Sequence, residues 1–158
     1  MSTPVHPAVS RGQRGTLTGV SFRPDALRGA PAERPGAGGQ VSYRLARNAV
    51  VSQFQKGRLS RLDVCDAHPE LLRAARNVGE ATAEVCPICE EANVVIVSYV
   101  FGSGLASSGH CVTSRAELAK LKRRGSDLAC YVVEVCPECS WNHLANTFLL
   151  GGRRRASS

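Results

Sequence analysis

Two copies of the motif Cys-Pro-x-Cys constrain this chain more than any other feature. The first contains Cys86 and Cys89 and precedes "NVVIVSYVF", while the second contains Cys136 and Cys139 and follows "CYVVEV". A Cys-x-x-Cys turn directs two sulfurs at one ion, and Zn²⁺ prefers four ligands in a tetrahedron. We therefore expect these four cysteines to bind one structural Zn²⁺.

The spacing of the two motifs leaves alternatives open. The pairs are separated by 46 residues, which exceeds the 15–20 residues common in zinc sites. A strand–helix–strand unit would fill that insert. Cys-Pro-x-Cys also occurs in redox enzymes in which a helix begins at the first cysteine, but "EEANVVIVSYVF" after Cys89 indicates a strand instead. Buried thiols without a metal are a further alternative.

The seven cysteines are an odd number, so they cannot all pair within one chain. No apolar run approaches the ~20 residues that a membrane-spanning helix needs. The N-terminal "MSTPVHPAVSRGQRGTLTGV" lacks the continuous apolar segment of a secretory signal. We therefore expect a cytoplasmic protein, in which cysteines serve as metal ligands or buried thiols rather than as disulfides.

The net charge of +7 resides mainly in two tails. Residues 1–40 are rich in Pro and Gly, with five arginines against Asp25 and Glu33, and residues 153–158 contain three more arginines. Residues 41–152 have twelve basic and eleven acidic side chains. We expect a disordered basic tail over 1–40, one domain over 41–152 and a basic C-terminal tail. Such tails can hold a polyanion or simply remain solvated.

Hydrophobic periodicity and capping residues predict an α+β fold. A helix in "SYRLARNAVVSQFQKG" would be capped by Ser42, with an apolar stripe of Leu45, Ala46, Ala49, Val50 and Phe54. A second helix, "HPELLRAARNVG", has Pro69 at its first position, and "SRAELAKLKRRG" has a capping box. The segments "NVVIVSYVF", "LACYVVEV" and "NTFLLG" indicate strands, the first central in its sheet.

Three further residues could act at a metal site. Cys65 and His68 form Cys-x-x-His and could supply alternative ligands, although His68 lies where a helix cap is expected before Pro69. His143 lies four residues after Cys139 and could replace a ligand or donate a hydrogen bond to a sulfur. The alternative for His143 is packing beside Trp141.

Two features could form a binding surface. Trp141, the only tryptophan, could be an exposed docking anchor or a base-stacking platform, or it could shield the metal from water. A basic run at the end of the third predicted helix could face phosphate or could complement the helix dipole in water; it consists of Lys120, Lys122, Arg123 and Arg124.

The segments "RLDVCDAHPELLRAARNVGE", "CPIC", "YVVEVCPECSWNHL" and "FLLG" resemble an uncharacterised actinobacterial family of small zinc-ribbon-like proteins over residues 41–151. The resemblance implies an antiparallel ribbon-type sheet with a helix in its insert and an N-terminal helical pair, but no reaction. Many ribbon turns place Gly directly after the second cysteine, whereas this chain has Glu90 and Ser140 there.

These observations favour a non-catalytic zinc-binding module that docks on a protein or on a nucleoprotein complex, such as the transcription or translation apparatus. That expectation rests on analogy with other zinc ribbons. A direct nucleic-acid binder that uses the basic tails and Trp141 is an alternative of a different class. A thiol redox enzyme is a lesser alternative. No membrane partner is expected.

Overall fold

The protein combines helices with an antiparallel sheet. The computed structural model describes residues 27–28, 40–124 and 127–150. Helices α1 to α4 span Arg44–Gln55, Arg61–Val64, Pro69–Val78 and Arg115–Arg123. Strands β1 to β6 span Val41–Ser42, Glu80–Val85, Asn93–Gly102, His110–Val112, Leu128–Val135 and Asn142–Leu150. No helix in the described part of the chain is long and apolar enough to cross a membrane.

The strands described here form a single sheet in the order β1-β6-β5-β3-β2, and every pair is antiparallel. Strand β2 pairs with the first residues of β3, and β4 pairs with its later residues from Ser98 to Val100. Both lie on the edge of β3 opposite to β5. Strand β3 is thus central, as its apolar composition predicts. The antiparallel sheet and the helix in the insert, α4, are confirmed.

One face of the sheet packs against α3. Leu71 and Ala75 from this helix join Tyr99 and Tyr131 from the central strands in one buried cluster. Leu27, with 2% of its surface exposed, belongs to the same cluster. Leu27 and Arg28 therefore pack on the domain, although they fall in the segment expected to be disordered. Residues 1–26 and 29–39, and the C-terminal tail, lie outside the described residues.

The opposite face of the sheet packs against α4. Because successive residues of a strand point to opposite faces, Val100 and Cys130 lie on the far side from their neighbours Tyr99 and Tyr131. They form a cluster with Leu121 of α4 and with other apolar residues at this end of the sheet, including Leu128 and Leu150. The side chain of Ser114 caps α4 by accepting a hydrogen bond from the Glu117 backbone N–H.

Helix α1 has the predicted position, but it presents a different face to the domain. Leu45 is 86% exposed and Ala46 and Ala49 are also exposed, whereas Val51 is buried. The predicted stripe is therefore wrong at Leu45, Ala46 and Ala49. Arg47 faces inward instead, because it forms an ion pair with the buried Glu134. The N-cap of α1 is Tyr43 and has no side-chain hydrogen bond, so Ser42 is not the cap.

Candidate metal centre

Two hairpins bring the four motif cysteines to one end of the sheet. Cys86 and Cys89 lie in the turn between β2 and β3, and Cys136 and Cys139 lie in the turn between β5 and β6. Strands β3 and β5 are antiparallel neighbours with Val95 opposite Val135. The start of β3 and the end of β5 therefore lie side by side, which places the two turns next to each other.

The four sulfurs form a compact group. All four Sγ atoms lie within 4.8 Å of one another. Cys86 Sγ is 3.6 Å from Cys139 Sγ, and Cys89 Sγ is 3.8 Å from Cys136 Sγ. Sulfurs bound tetrahedrally to Zn²⁺ at about 2.3 Å would be about 3.8 Å apart. The cluster could therefore hold a metal ion without large rearrangement of the turns.

The two turns share one backbone hydrogen bond and one left-handed residue. The Glu90 N–H donates to the Cys86 carbonyl at 3.1 Å, and the Ser140 N–H donates to the Cys136 carbonyl at 3.0 Å. Glu90 and Ser140 have φ values of +56° and +72°, the left-handed region that glycine adopts most readily. Glu90 and Ser140 therefore form the turn in place of the usual glycine. The backbone N–H of Ile88 also donates a hydrogen bond to Cys86 Sγ, at 3.4 Å.

The thiols of the four cysteines differ in acidity. Burial raises the pKa of Cys86 to about 11 and also raises the pKa of Cys139. Burial acts in the same direction on Cys89, but hydrogen bonds from the backbone of Glu91 and Ala92 outweigh it and lower the pKa of Cys89 to about 7. Since a metal binds the thiolate form, an incoming ion must displace protons from Cys86 and Cys139 at neutral pH.

A cation lies beside the centre. Arg47 of α1 donates two hydrogen bonds to the Glu134 carboxylate, at 2.6 and 3.3 Å. Burial disfavours its charge, but Glu134, Glu84 and Cys86 together raise the pKa of Arg47. Glu84 and Glu134 each lie two residues before the first cysteine of a motif. Sequence reasoning missed Arg47, because a charged residue was not expected on the inner face of α1.

His143 is not part of the group of four sulfurs. Its side chain is buried, and its ring stacks on Trp141 with the ring centroids 6.0 Å apart. His143 Nδ1 lies 2.7 Å from the Leu144 carbonyl oxygen, so Nδ1 carries the proton and donates it. Burial lowers the pKa of His143. His143 is therefore packed beside Trp141, which was the alternative to its role as a metal ligand.

Cys65 and His68 also lie outside the group of four, but they differ in position. Cys65 packs against the cluster that contains the buried Cys86 and Cys136, and Cys139 packs against the same cluster. His68 is the N-cap of α3, where Nδ1 accepts a hydrogen bond from the Glu70 N–H at 3.1 Å. Cys65 is therefore a neighbour of the centre, and His68 has a capping role.

Trp141 shields the centre and is not a binding surface. It has no exposed surface and packs in the cluster that contains Cys86, Cys136 and Val51. The prediction of an exposed docking anchor or base-stacking platform is therefore wrong, because the indole fills the space between the second turn and α1. The four basic residues at the end of α4 are exposed, as a binding surface requires; they are Lys120, Lys122, Arg123 and Arg124.

The turns also differ from a thiol redox site. Turn residues follow Cys86 and Cys136, and the next regular elements are strands β3 and β6. Neither first cysteine has the helix N-terminus that lowers a catalytic thiol pKa, and the pKa of Cys86 is raised.

Fold and site together define a small mixed α/β protein with a four-cysteine cluster that could hold a metal ion. The chain belongs to a family of unknown function, DUF5318, whose model matches residues 37–158. Uncharacterized proteins Rv0049 of Mycobacterium tuberculosis (strain H37Rv) and Mb0050 of Mycobacterium bovis are each 40% identical to it over 116 residues, covering 73% of this chain and 85% of the relative. These matches confirm the resemblance to an uncharacterised actinobacterial family. No solved structure matches the chain.

Proposed function

We propose that this protein is a non-catalytic, zinc-ribbon-like module in which one structural Zn²⁺ is bound by four thiolates. The observation that carries the proposal is the convergence of Cys86, Cys89, Cys136 and Cys139, whose sulfurs lie within 4.8 Å of one another. Four protein ligands would complete a tetrahedron and leave no position for a substrate. This arrangement is typical of a structural ion rather than a catalytic one.

The chemistry of the donors supports zinc among the available metals. Four thiolates in a tetrahedron suit Zn²⁺ or iron. Zn²⁺ has no redox chemistry of its own. It therefore suits a structural centre that is held by two short turns and packed against Trp141. Iron would give the protein a visible colour, so metal analysis together with an absorption spectrum distinguishes the two ions.

The first experiment measures metal in single variants of the zinc-loaded protein. Cys86→Ser and Cys139→Ser should each abolish one-to-one zinc and lower the thermal midpoint, because the remaining three sulfurs cannot close the site. Cys111→Ser is the matched control, since Cys111 is a half-buried thiol of a different cluster. Full zinc in either ligand variant, measured by elemental analysis, would overturn the assignment.

We further propose that the rigid domain docks on a protein or a nucleoprotein complex. Since the four cysteines would serve as metal ligands, recognition would use other exposed groups, and one charged feature of the described surface is the exposed basic end of α4, where the last turn carries Lys120, Lys122 and Arg123. Such a patch attracts an acidic protein surface or phosphates. Direct nucleic-acid binding is supported less well, because Trp141 is buried and cannot stack on bases.

The second experiment tests the docking surface. Affinity capture from the native cell, with zinc retained, compares the unaltered chain with a variant that reverses all four charges of the α4 basic end. Reversal of three exposed charges elsewhere, at Lys56, Arg58 and Arg61, is the control. A partner that survives nuclease and is lost only from the α4 variant supports protein docking. Loss of all partners on nuclease treatment would favour the nucleic-acid binder.

A further inference from the structure

A fifth cysteine lies beside the four that form the metal centre. Cys65 follows helix α2 and packs against the cluster that contains Cys86, Cys136 and Trp141. Cys139 packs against the same cluster. Cys65 is not among the four sulfurs that could share one ion.

Hydrogen bonds hold the segment of Cys65 against the second turn. The Ala67 N–H donates to the Ser140 carbonyl at 3.0 Å, directly after Cys139. Asp66 Oδ1 accepts a hydrogen bond from Asn142 Nδ2 at 3.2 Å. Two contacts to the residues just after Cys139 therefore hold the segment of Cys65 against this turn, one through the backbone and one through side chains.

Solvent can reach this pair more readily than the interior of the centre. Cys86 and Cys136 have no exposed surface, whereas Cys65 and Cys139 are half-buried. Cys89 is half-buried as well, but the segment of Cys65 is held against the turn that ends with Cys139 and Ser140. With zinc bound, all four motif cysteines would be thiolates, and Cys139 combines exposure to an oxidant with a thiol in a neighbouring segment.

We propose that Cys65 is an oxidative modification site that forms a disulfide with Cys139 and thereby releases the metal ion. This inference rests on the proposed zinc site. A hydroperoxide is the oxidant: the Cys139 thiolate attacks one peroxide oxygen, the O–O bond breaks, and a sulfenic acid and hydroxide (or alkoxide) form. The Cys65 thiol then attacks the Cys139 sulfur, the S–O bond breaks, and the departing oxygen takes up a proton to leave as water.

The electrons balance, because two thiol sulfurs lose two electrons in total and the peroxide gains two. Cys65 is the preferred partner because the other three sulfurs near Cys139 are held by the ion when the first step occurs. Once Cys139 is in the disulfide, only three thiolates remain, and the ion is held more weakly. A thiol reductant would regenerate both cysteines by exchange and restore the site.

The test uses the full, zinc-loaded chain and limiting hydrogen peroxide. A chromogenic chelator follows zinc release, and mass spectrometry of alkylated, non-reduced peptides maps the disulfides. We expect a peptide pair joined by Cys65 and Cys139, and release that reductant reverses when zinc is present. Cys65→Ser should bind zinc like the unaltered chain but release it several-fold more slowly, while the Cys111→Ser control should release it at the unaltered rate.

Two results separate this inference from the proposal beneath it. A chain that binds zinc but yields only disulfides among Cys86, Cys89, Cys136 and Cys139 would overturn the role of Cys65 and leave the zinc site intact. A chain that binds no zinc would refute the zinc site itself. If Cys65→Ser fails to fold, Cys65→Ala and the peptide map of the unaltered chain still decide the question.

Discussion

The ion pair between Arg47 and Glu134 leads to a quantitative prediction about the region beside the metal centre. Glu134 has 8% and Arg47 has 21% of its side-chain surface exposed. Removing one partner of a fully buried pair costs about 3–5 kcal/mol, because a charge is left without compensation. Arg47→Met would leave the more buried Glu134 carboxylate without a counter-ion. It should lower the free energy of unfolding by about 3 kcal/mol, at the lower end of that range.

Glu134→Met should cost less, because the longer and more exposed Arg47 can turn toward water; we expect about 2 kcal/mol. The double variant removes both charges and fills their space with apolar side chains, so it should lie within about 1 kcal/mol of the unaltered chain. The two substitutions would then be coupled by about 4 kcal/mol or more, which is above the usual values for contacting residues.

Urea unfolding at a fixed zinc concentration measures these free energies, since bound metal contributes to the apparent stability. The control is Arg73→Met, which breaks an exposed pair with Glu70 whose side chains are 65% and 49% exposed. That change should cost less than about 1 kcal/mol. If the double variant loses the sum of the two single losses, the pair is not coupled and the reasoning fails.

Two further predictions concern the centre itself. Trp141→Ala should cost about 3–5 kcal/mol through the cavity it leaves. Trp141→Phe should lower the free energy of unfolding by less than about 1 kcal/mol. The lost contacts are offset because the substitution removes a buried indole N–H that has no hydrogen-bond partner among the described residues. Thermal unfolding followed by circular dichroism distinguishes the two variants. Zinc affinity should rise with pH, because binding releases protons from the thiols. The slope of the logarithm of the affinity against pH should decrease by about one above pH 7. Cys89, with a pKa of about 7, is then already ionised, whereas Cys86, with a pKa of about 11, still releases its proton. Chelator competition from pH 6 to 8 measures this slope, and an unchanged slope across pH 7 would contradict it.

The parts of the fold that were predicted from sequence are those with strong local signals. Helix α3 begins at Pro69 and ends before Gly79, as its capping residues indicate, and β3 and β5 follow their β-branched composition. The convergence of the four cysteines was also predictable, because two identical motifs beside strands suggest one shared ligand set. These signals depend on neighbouring residues and hardly at all on the rest of the chain.

The missed features depend on contacts between distant residues. Strand β2 has the polar sequence "EATAEV" and is almost wholly exposed, so it has no apolar pattern and is defined by its pairing with β3. The start of β6 was missed because His143 was considered as a site residue rather than as part of the buried beginning of a strand, which Trp141 directly precedes. The inward face of α1 is determined by Glu134, 87 residues from Arg47. The position of Cys65 likewise depends on hydrogen bonds to the second turn.

Strand β3 runs from the cysteine-bearing turns at one end to the connection at residues 103–109 at the other. Its ten residues separate those two places by about 30 Å. Ser107 and Ser108 in that connection are exposed. A short epitope inserted between them would leave both arginine-rich termini unaltered and the four sulfurs undisturbed. The far loop is thus a practical position from which to recover the protein, with whatever it binds, from living cells.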